Sequence, residues 1–195
     1  MAKLQIPDPF GMYPAEEAQQ KNNVINIPAQ NNQQEVPKGP QPKYKKDDKM
    51  AKYASDLIGL ASYLHELQIQ AHLIHFNFEG ANFLAVHRFL RKQYEAHQDQ
   101  FDQVGEFVRT LDYFLPMCHK GLMSAGPKFK HVDSYEPDKM LLVYLNNLEE
   151  LGMMSKKIEA SSAKIKAIDV QNYAAELCAH AFKGAWMLKA TMRNT

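Results

Sequence analysis

Cysteine is nearly absent, with Cys118 and Cys178 the only two in 195 residues. Two thiols cannot staple a chain this long, and neither has the CxxC spacing of a zinc or redox site. A disulfide framework is therefore excluded and a reducing compartment expected. Net charge is also missing: 23 Lys and Arg stand against 22 Asp and Glu. No global field points to nucleic acid or a membrane, so such a partner has to be read from local clusters. No apolar run reaches the roughly 18 residues of a bilayer span. The first residues, Met1 to Asp8, lack the apolar centre of a secretory leader, so a soluble, cytoplasmic protein is expected. Phosphate-cradling glycine loops, dinucleotide-binding glycines and strand-like alternation are lacking too, which removes most nucleotide enzymes.

What is present falls into two parts. Residues 1–48 hold most of the prolines (Pro7, Pro9, Pro14, Pro28, Pro37, Pro40, Pro42) and an Asn/Gln-rich middle, and they read as an extended tail. Its end is rich in lysine: Lys38, Lys43, Lys45 and Lys46, with Lys49 and Lys52 just beyond, are offset only by Asp47 and Asp48. Multiplied by self-assembly, such a stretch could hold DNA through salt-sensitive phosphate contacts, or it is a solvated tether.

Residues 49–195 read as an all-α bundle. Leu57, Leu60, Ala61, Leu64, Ala71, Ile74 and Phe78 form one helical stripe, with Gly80 ending the helix and Asn82 capping the next through its side chain. Helix two carries a seam in alternating steps of four and three: Phe83, His87, Leu90, Tyr94, His97, Phe101, Val104, Val108 and Leu111. Pro116 is expected to stop it, and Met117 to Met123 to form a short extra helix in the crossover before Gly126-Pro127. Helix three follows Ser134 to Asp138, burying Leu141, Leu145, Leu148, Ile158 and Ile165. Helix four follows Asp169, with Tyr173, Leu177, Ala181, Gly184, Leu188 and Met192 inward.

Chemistry concentrates around helix two. Asp102 and Glu106 are an i, i+4 carboxylate pair, which is a solvated face or half of a ligand set. His75 and His87 flank the turn between helices one and two. His87 and Asp102 are fifteen residues apart, about 22 Å along a continuous helix. They cannot share a metal within one chain, but an antiparallel second copy could bring the imidazoles of one subunit to the carboxylates of the other. Mixed nitrogen and oxygen donors suit iron, with zinc and manganese as competitors. His97 is either a buried core histidine or an auxiliary ligand, and His65 and His72 are surface or auxiliary histidines.

The run from His75 to His87, with its Gly80-Ala81-Asn82 turn, followed by Asp102 and Glu106, gives H-x11-H-x14-D-x3-E and closely resembles the Dps family (DNA-binding protein from starved cells) over about residues 50–192, including an aromatic at Trp186. The resemblance implies a ferritin-like four-helix bundle that assembles into a hollow dodecamer. It also implies a ferroxidase centre in which His75 and His87 come from one subunit and Asp102 and Glu106 from its two-fold mate. Such a protein oxidises Fe(II), usually with hydrogen peroxide or else dioxygen, and stores the ferric mineral, protecting the cell and DNA; nucleoid association would follow from DNA binding. Family members commonly have Trp where this chain has Phe76 and a second Asp where it has Arg91. A guanidinium cannot ligate iron. Arg91 could instead pair with Asp102 or Glu106 across the interface and compete with the metal, leaving an impaired or zinc-occupied cage that serves as a structural or DNA-binding particle. Glu149, Glu150 and Glu159 are candidates for seeding mineral, and Asp169 for a helix cap or an iron-entry pore.

Overall fold

The computed structural model describes residues 48–193, so the proline-rich tail with Lys38, Lys43, Lys45 and Lys46 lies outside them, while Lys49 is exposed on the first helix. The described residues form α1 (Asp48–Asn77), α2 (Phe83–Thr110), α3 (His119–Ala125), α4 (Pro137–Ile165) and α5 (Ile168–Met192), with no strand among them. None of these helices is long and apolar enough to cross a membrane.

α1 packs along α2, α4 packs along α5, and α1 joins the two hairpins through α4. Tyr53 meets Ser162 at 2.6 Å and Tyr63 donates to Asn147 at 3.3 Å, so α1 and α4 run antiparallel. Gln100 meets His180 at 3.2 Å, and the rings of Phe107 and Tyr173 lie 5.4 Å apart, so α2 and α5 are antiparallel as well. The order is up, down, down, up, which requires the long α2 to α4 connection that carries α3.

The α1 stripe is buried as its spacing predicts: Leu57, Leu60, Ala61, Leu64, Ala71, Ile74 and Phe78 are each 5% exposed or less, joined by Tyr53, Tyr63 and Leu67. Each such aliphatic side chain contributes roughly 1.5–3 kcal/mol relative to exposure, and packing of this face, more than local propensity, holds the helix.

Several expectations change in detail. The inward ridge of α2 is Val86, Leu90, Gln93, His97, Gln100, Val104, Phe107 and Val108. Phe83 is exposed, and Tyr94, Phe101 and Leu111 only half-buried, because two glutamines occupy ridge positions that an apolar count passes over. Asn82 precedes α2 without a side-chain cap; its carbonyl accepts from Val86 N–H at 3.0 Å instead. α2 ends at Thr110, before Pro116, where Asp112 takes a left-handed φ of 61°. The short helix begins two residues later than expected, with the Cys118 thiol accepting from Gly121 N–H at its start. Ile165, the last residue of α4, is exposed, and Tyr173 and Met192 are half-buried. Ala167, not Asp169, occupies the cap of α5, and Asp169 lies in the first turn, where a carboxylate suits the helix dipole.

The crossover is tied down by polar contacts. Asn147 Nδ2 donates to Gln70 Oε1 at 2.9 Å and to the Lys130 carbonyl at 2.8 Å, and Gln70 Nε2 donates to that same carbonyl at 2.9 Å. Gly126 lies so close to α1 that a Cβ there would sit 2.9 Å from Ser62 Cβ. This close approach seats α3 on α1.

Candidate functional site

The turn between α1 and α2 depends on Gly80, whose φ of 142° is open only to a residue without Cβ. That reversal brings His75, at the end of α1, onto His87, one turn into α2. The two rings stack with centroids 3.6 Å apart. Each Nδ1–H donates to the other residue's backbone carbonyl, His75 to His87 at 2.9 Å and His87 to His75 at 3.1 Å. A carbonyl can only accept, so both Nδ1 atoms carry a proton, and in the neutral rings it is Nε2 that presents the lone pair. Neither Nε2 has a hydrogen-bond partner among the described residues, so two metal-competent donors stand at one place.

Aromatic side chains wall this pair. His72 stacks on Phe76 at 4.7 Å and on Tyr94 at 4.1 Å, and Tyr94 meets the His75 ring edge-on at 5.4 Å. His72 is therefore half-buried packing, and Tyr94 is a site neighbour that sequence reasoning placed only in the seam. Apolar side chains around the pair stay exposed: Leu73 by 56%, Phe76 by 67% and Leu84 by 64%.

Asp102 and Glu106 lie on the outer face of α2, both exposed, and line one open depression with Phe101, Gly105, Arg109 and Leu115. Gln103 Nε2 donates to Glu106 at 3.4 Å. Because α2 is continuous from Phe83 to Thr110, the fifteen-residue step from His87 to Asp102 stays at about 22 Å. No group of three or more His, Cys, Asp or Glu that could hold a metal occurs among the described residues. One chain thus offers two imidazoles at one place and two carboxylates at another.

Arg91 is exposed and its Nε donates to Glu95, one turn further along α2, at 2.9 Å. The guanidinium charge is partly offset within its own helix.

His97 has no lone pair to offer a metal. It is fully buried; its Nδ1–H donates to Gln100 Oε1 at 2.8 Å, and its Nε2 accepts from Tyr144 O–H at 2.8 Å. Gln100 Nε2 then donates to His180 Nδ1 at 3.2 Å. Burial pushes the His97 pKa down to about 4, partly opposed by the Gln100 hydrogen bond, so the ring is neutral at ordinary pH. The auxiliary-ligand role is replaced by a core role, signalled in sequence by Gln100 three residues on.

His65 is half-buried against Phe101 at 5.4 Å and faces His119 of α3. Of the mineral-seeding candidates, Glu149 pairs with Lys189, Glu159 accepts from Gln171 at 2.7 Å, and Glu150 is exposed.

A family model described as a ferritin-like domain matches residues 59–195. Among solved structures, a Dps protein from Bacillus brevis superposes with a TM-score of 0.71 at 17% identity, covering 76% of this chain and 99% of that one. Antigen TpF1 from Treponema pallidum gives 0.69 at 19% identity, covering 78% and 98%. A Dps protein from Vibrio cholerae O1, described as a member of a broad superfamily of ferritin-like diiron-carboxylate proteins, gives 0.68 at 19%, covering 74% and 91%. At these identities the likeness is one of fold. No curated protein matches the chain in sequence.

Proposed function

Because the chain belongs to the ferritin-like family and folds as the Dps proteins do, we propose that it is a Dps-type miniferritin that oxidises Fe(II), with hydrogen peroxide as the oxidant, at a site shared between two subunits. The ferric product is stored inside a hollow oligomer, a dodecamer built from two-fold dimers. The observation that carries this is the reciprocal Nδ1–carbonyl pairing of His75 and His87, which fixes both tautomers and leaves two Nε2 lone pairs free. Fixing the tautomer from the far side of the ring is how proteins prepare histidine for a metal.

Two nitrogens are too few for iron, and the exposed Asp102/Glu106 pair supplies the oxygen donors that a borderline ion also takes. About 22 Å of helix separates the two sets, so the acids must come from a second copy packed antiparallel. Exposed Leu73, Phe76 and Leu84 beside the histidines give that copy an apolar surface to cover. Fe(II) is the substrate: two ions each lose one electron, and one hydrogen peroxide with two protons becomes two waters. The histidines and carboxylates bind and orient the ions while the aromatic wall of Tyr94, His72 and Phe76 limits water on one side. Anaerobic protein loaded with Fe(II) should consume one peroxide per two iron ions and form an electron-dense core; free iron precipitating outside the shell would count against storage.

Arg91 supports a second reading, a cage of the same build whose site is impaired or holds zinc. The Arg91–Glu95 pair weakens that reading, since a guanidinium engaged in its own helix competes less for Asp102 or Glu106 of a neighbour. DNA is proposed as a further, non-specific partner through Lys38, Lys43, Lys45, Lys46 and Lys49, repeated on every subunit. Removing residues 1–48 should abolish low-salt retardation of duplex DNA; retardation that survives excludes the tail.

A further inference from the structure

The fold brings together a second pair of imidazoles that the iron reading leaves unused. His65, in the middle of α1, and His119, the first residue of α3, have ring centroids 5.5 Å apart at an interplanar angle of 68°. They belong to different elements, and their meeting depends on the tight seat of the crossover at Gly126 and Ser62. Their separation fits an edge-on ring contact and is also close to that of two rings sharing one ion. Zinc–nitrogen bonds are about 2.0–2.1 Å, the ring centre lies roughly 1.1 Å beyond the nitrogen, and a tetrahedral angle then puts two ring centres about 5 Å apart.

We propose that His65 and His119 form a second metal site, separate from the His75/His87 pair, that takes a borderline divalent cation of the zinc type. Among the other histidines, His97 uses both ring nitrogens in hydrogen bonds, His75, His87 and His180 each use one, and His72 stacks on Phe76 and Tyr94. Neither ring nitrogen of His65 or His119 has a hydrogen-bond partner among the described residues. His65 is held in place by Phe101, while His119 is exposed on the single chain. The Cys118 thiol is engaged in capping α3 and is not counted as a donor. No third His, Cys, Asp or Glu completes a cluster among the described residues, so water fills the remaining coordination positions. An imidazole donor set excludes calcium and magnesium and admits zinc, nickel, cobalt and copper. Ten residues of α1, about 15 Å, separate His65 from His75 within one chain.

The test is equilibrium dialysis of the full chain, as assembled, against Zn(II) alone. His119→Ala, an exposed change that leaves the core intact, should lower bound zinc by about one ion per subunit, and His65→Gln should do the same. The double variant His75→Ala/His87→Ala should retain that ion, and adding His119→Ala to it should remove it. Unchanged zinc stoichiometry in His119→Ala relative to the parent overturns the proposal. Failure of the iron reading would show in the oxidation kinetics of His75, His87, Asp102 and Glu106 variants and not in this zinc stoichiometry, so the two readings fail separately.

Discussion

Replacing His75 and Glu106 together by alanine should slow peroxide-driven Fe(II) oxidation to the rate of iron in buffer, seen as loss of the fast ferric absorbance rise in stopped flow. The two residues come from different donor sets, one imidazole and one carboxylate. Removing both leaves at most one nitrogen from His87 and one carboxylate from Asp102, too few to hold iron in place against water. Positioned ligands commonly govern rates by two or more orders of magnitude, so a fall of at least a hundredfold is expected. Glu106 is exposed but His75 is buried against His87, so assembly of the variant is checked by gel filtration alongside the kinetics. Wild-type kinetics in the variant would reject the site.

A second large effect concerns the core. His97→Leu should destabilise the bundle at neutral pH by roughly 2–5 kcal/mol, because it leaves the Gln100 carbonyl oxygen and the Tyr144 hydroxyl buried without their partner. The penalty should shrink in acid. Folding holds the His97 pKa at about 4, against 6.5 in an open chain. Between those values only the unfolded state takes the proton, so stability falls as pH drops through this window and is constant below it. The full loss is about 3 kcal/mol for a shift of this size. Leucine has no proton to gain, so the urea midpoints of wild type and variant, at one subunit concentration, should converge between pH 7 and pH 4.5. Parallel pH profiles would show that His97 is not the group that titrates.

Much of this structure was legible in the sequence where burial and hydrophobicity coincide. The α1 stripe from Leu57 to Phe78 is buried throughout, and Leu141, Leu145, Leu148 and Ile158 mark the inner face of α4. Legibility failed where polar groups do the packing. Gln100 occupies the α2 ridge by bonding His97 and His180, and Gln93 does so by lying against Gly184 of α5, and no hydrophobic period reveals that. Helix ends were misplaced for a related reason: backbone conformation at Asp112, not Pro116, terminates α2, and Asn82 acts through its carbonyl.

The site divides in the same way. The spacing of His75, His87, Asp102 and Glu106 was readable, and so was the impossibility of closing it within one helix. Three features depend on tertiary contact: the stacking of His75 on His87, the aromatic wall with Tyr94, and the meeting of His65 with His119. Arg91 was legible as a departure, but its engagement by Glu95 follows only from the helix that places them one turn apart.

Whether two subunits share each iron site is decided most directly by complementation. Subunits carrying His75→Ala/His87→Ala and subunits carrying Asp102→Ala/Glu106→Ala, each inactive alone, are unfolded, mixed in equal amounts and reassembled. Random pairing makes about half of the dimers mixed, and each mixed dimer regains one intact site of two, so about a quarter of wild-type oxidation should return. Mixtures that stay as inactive as their parents would contradict a shared site.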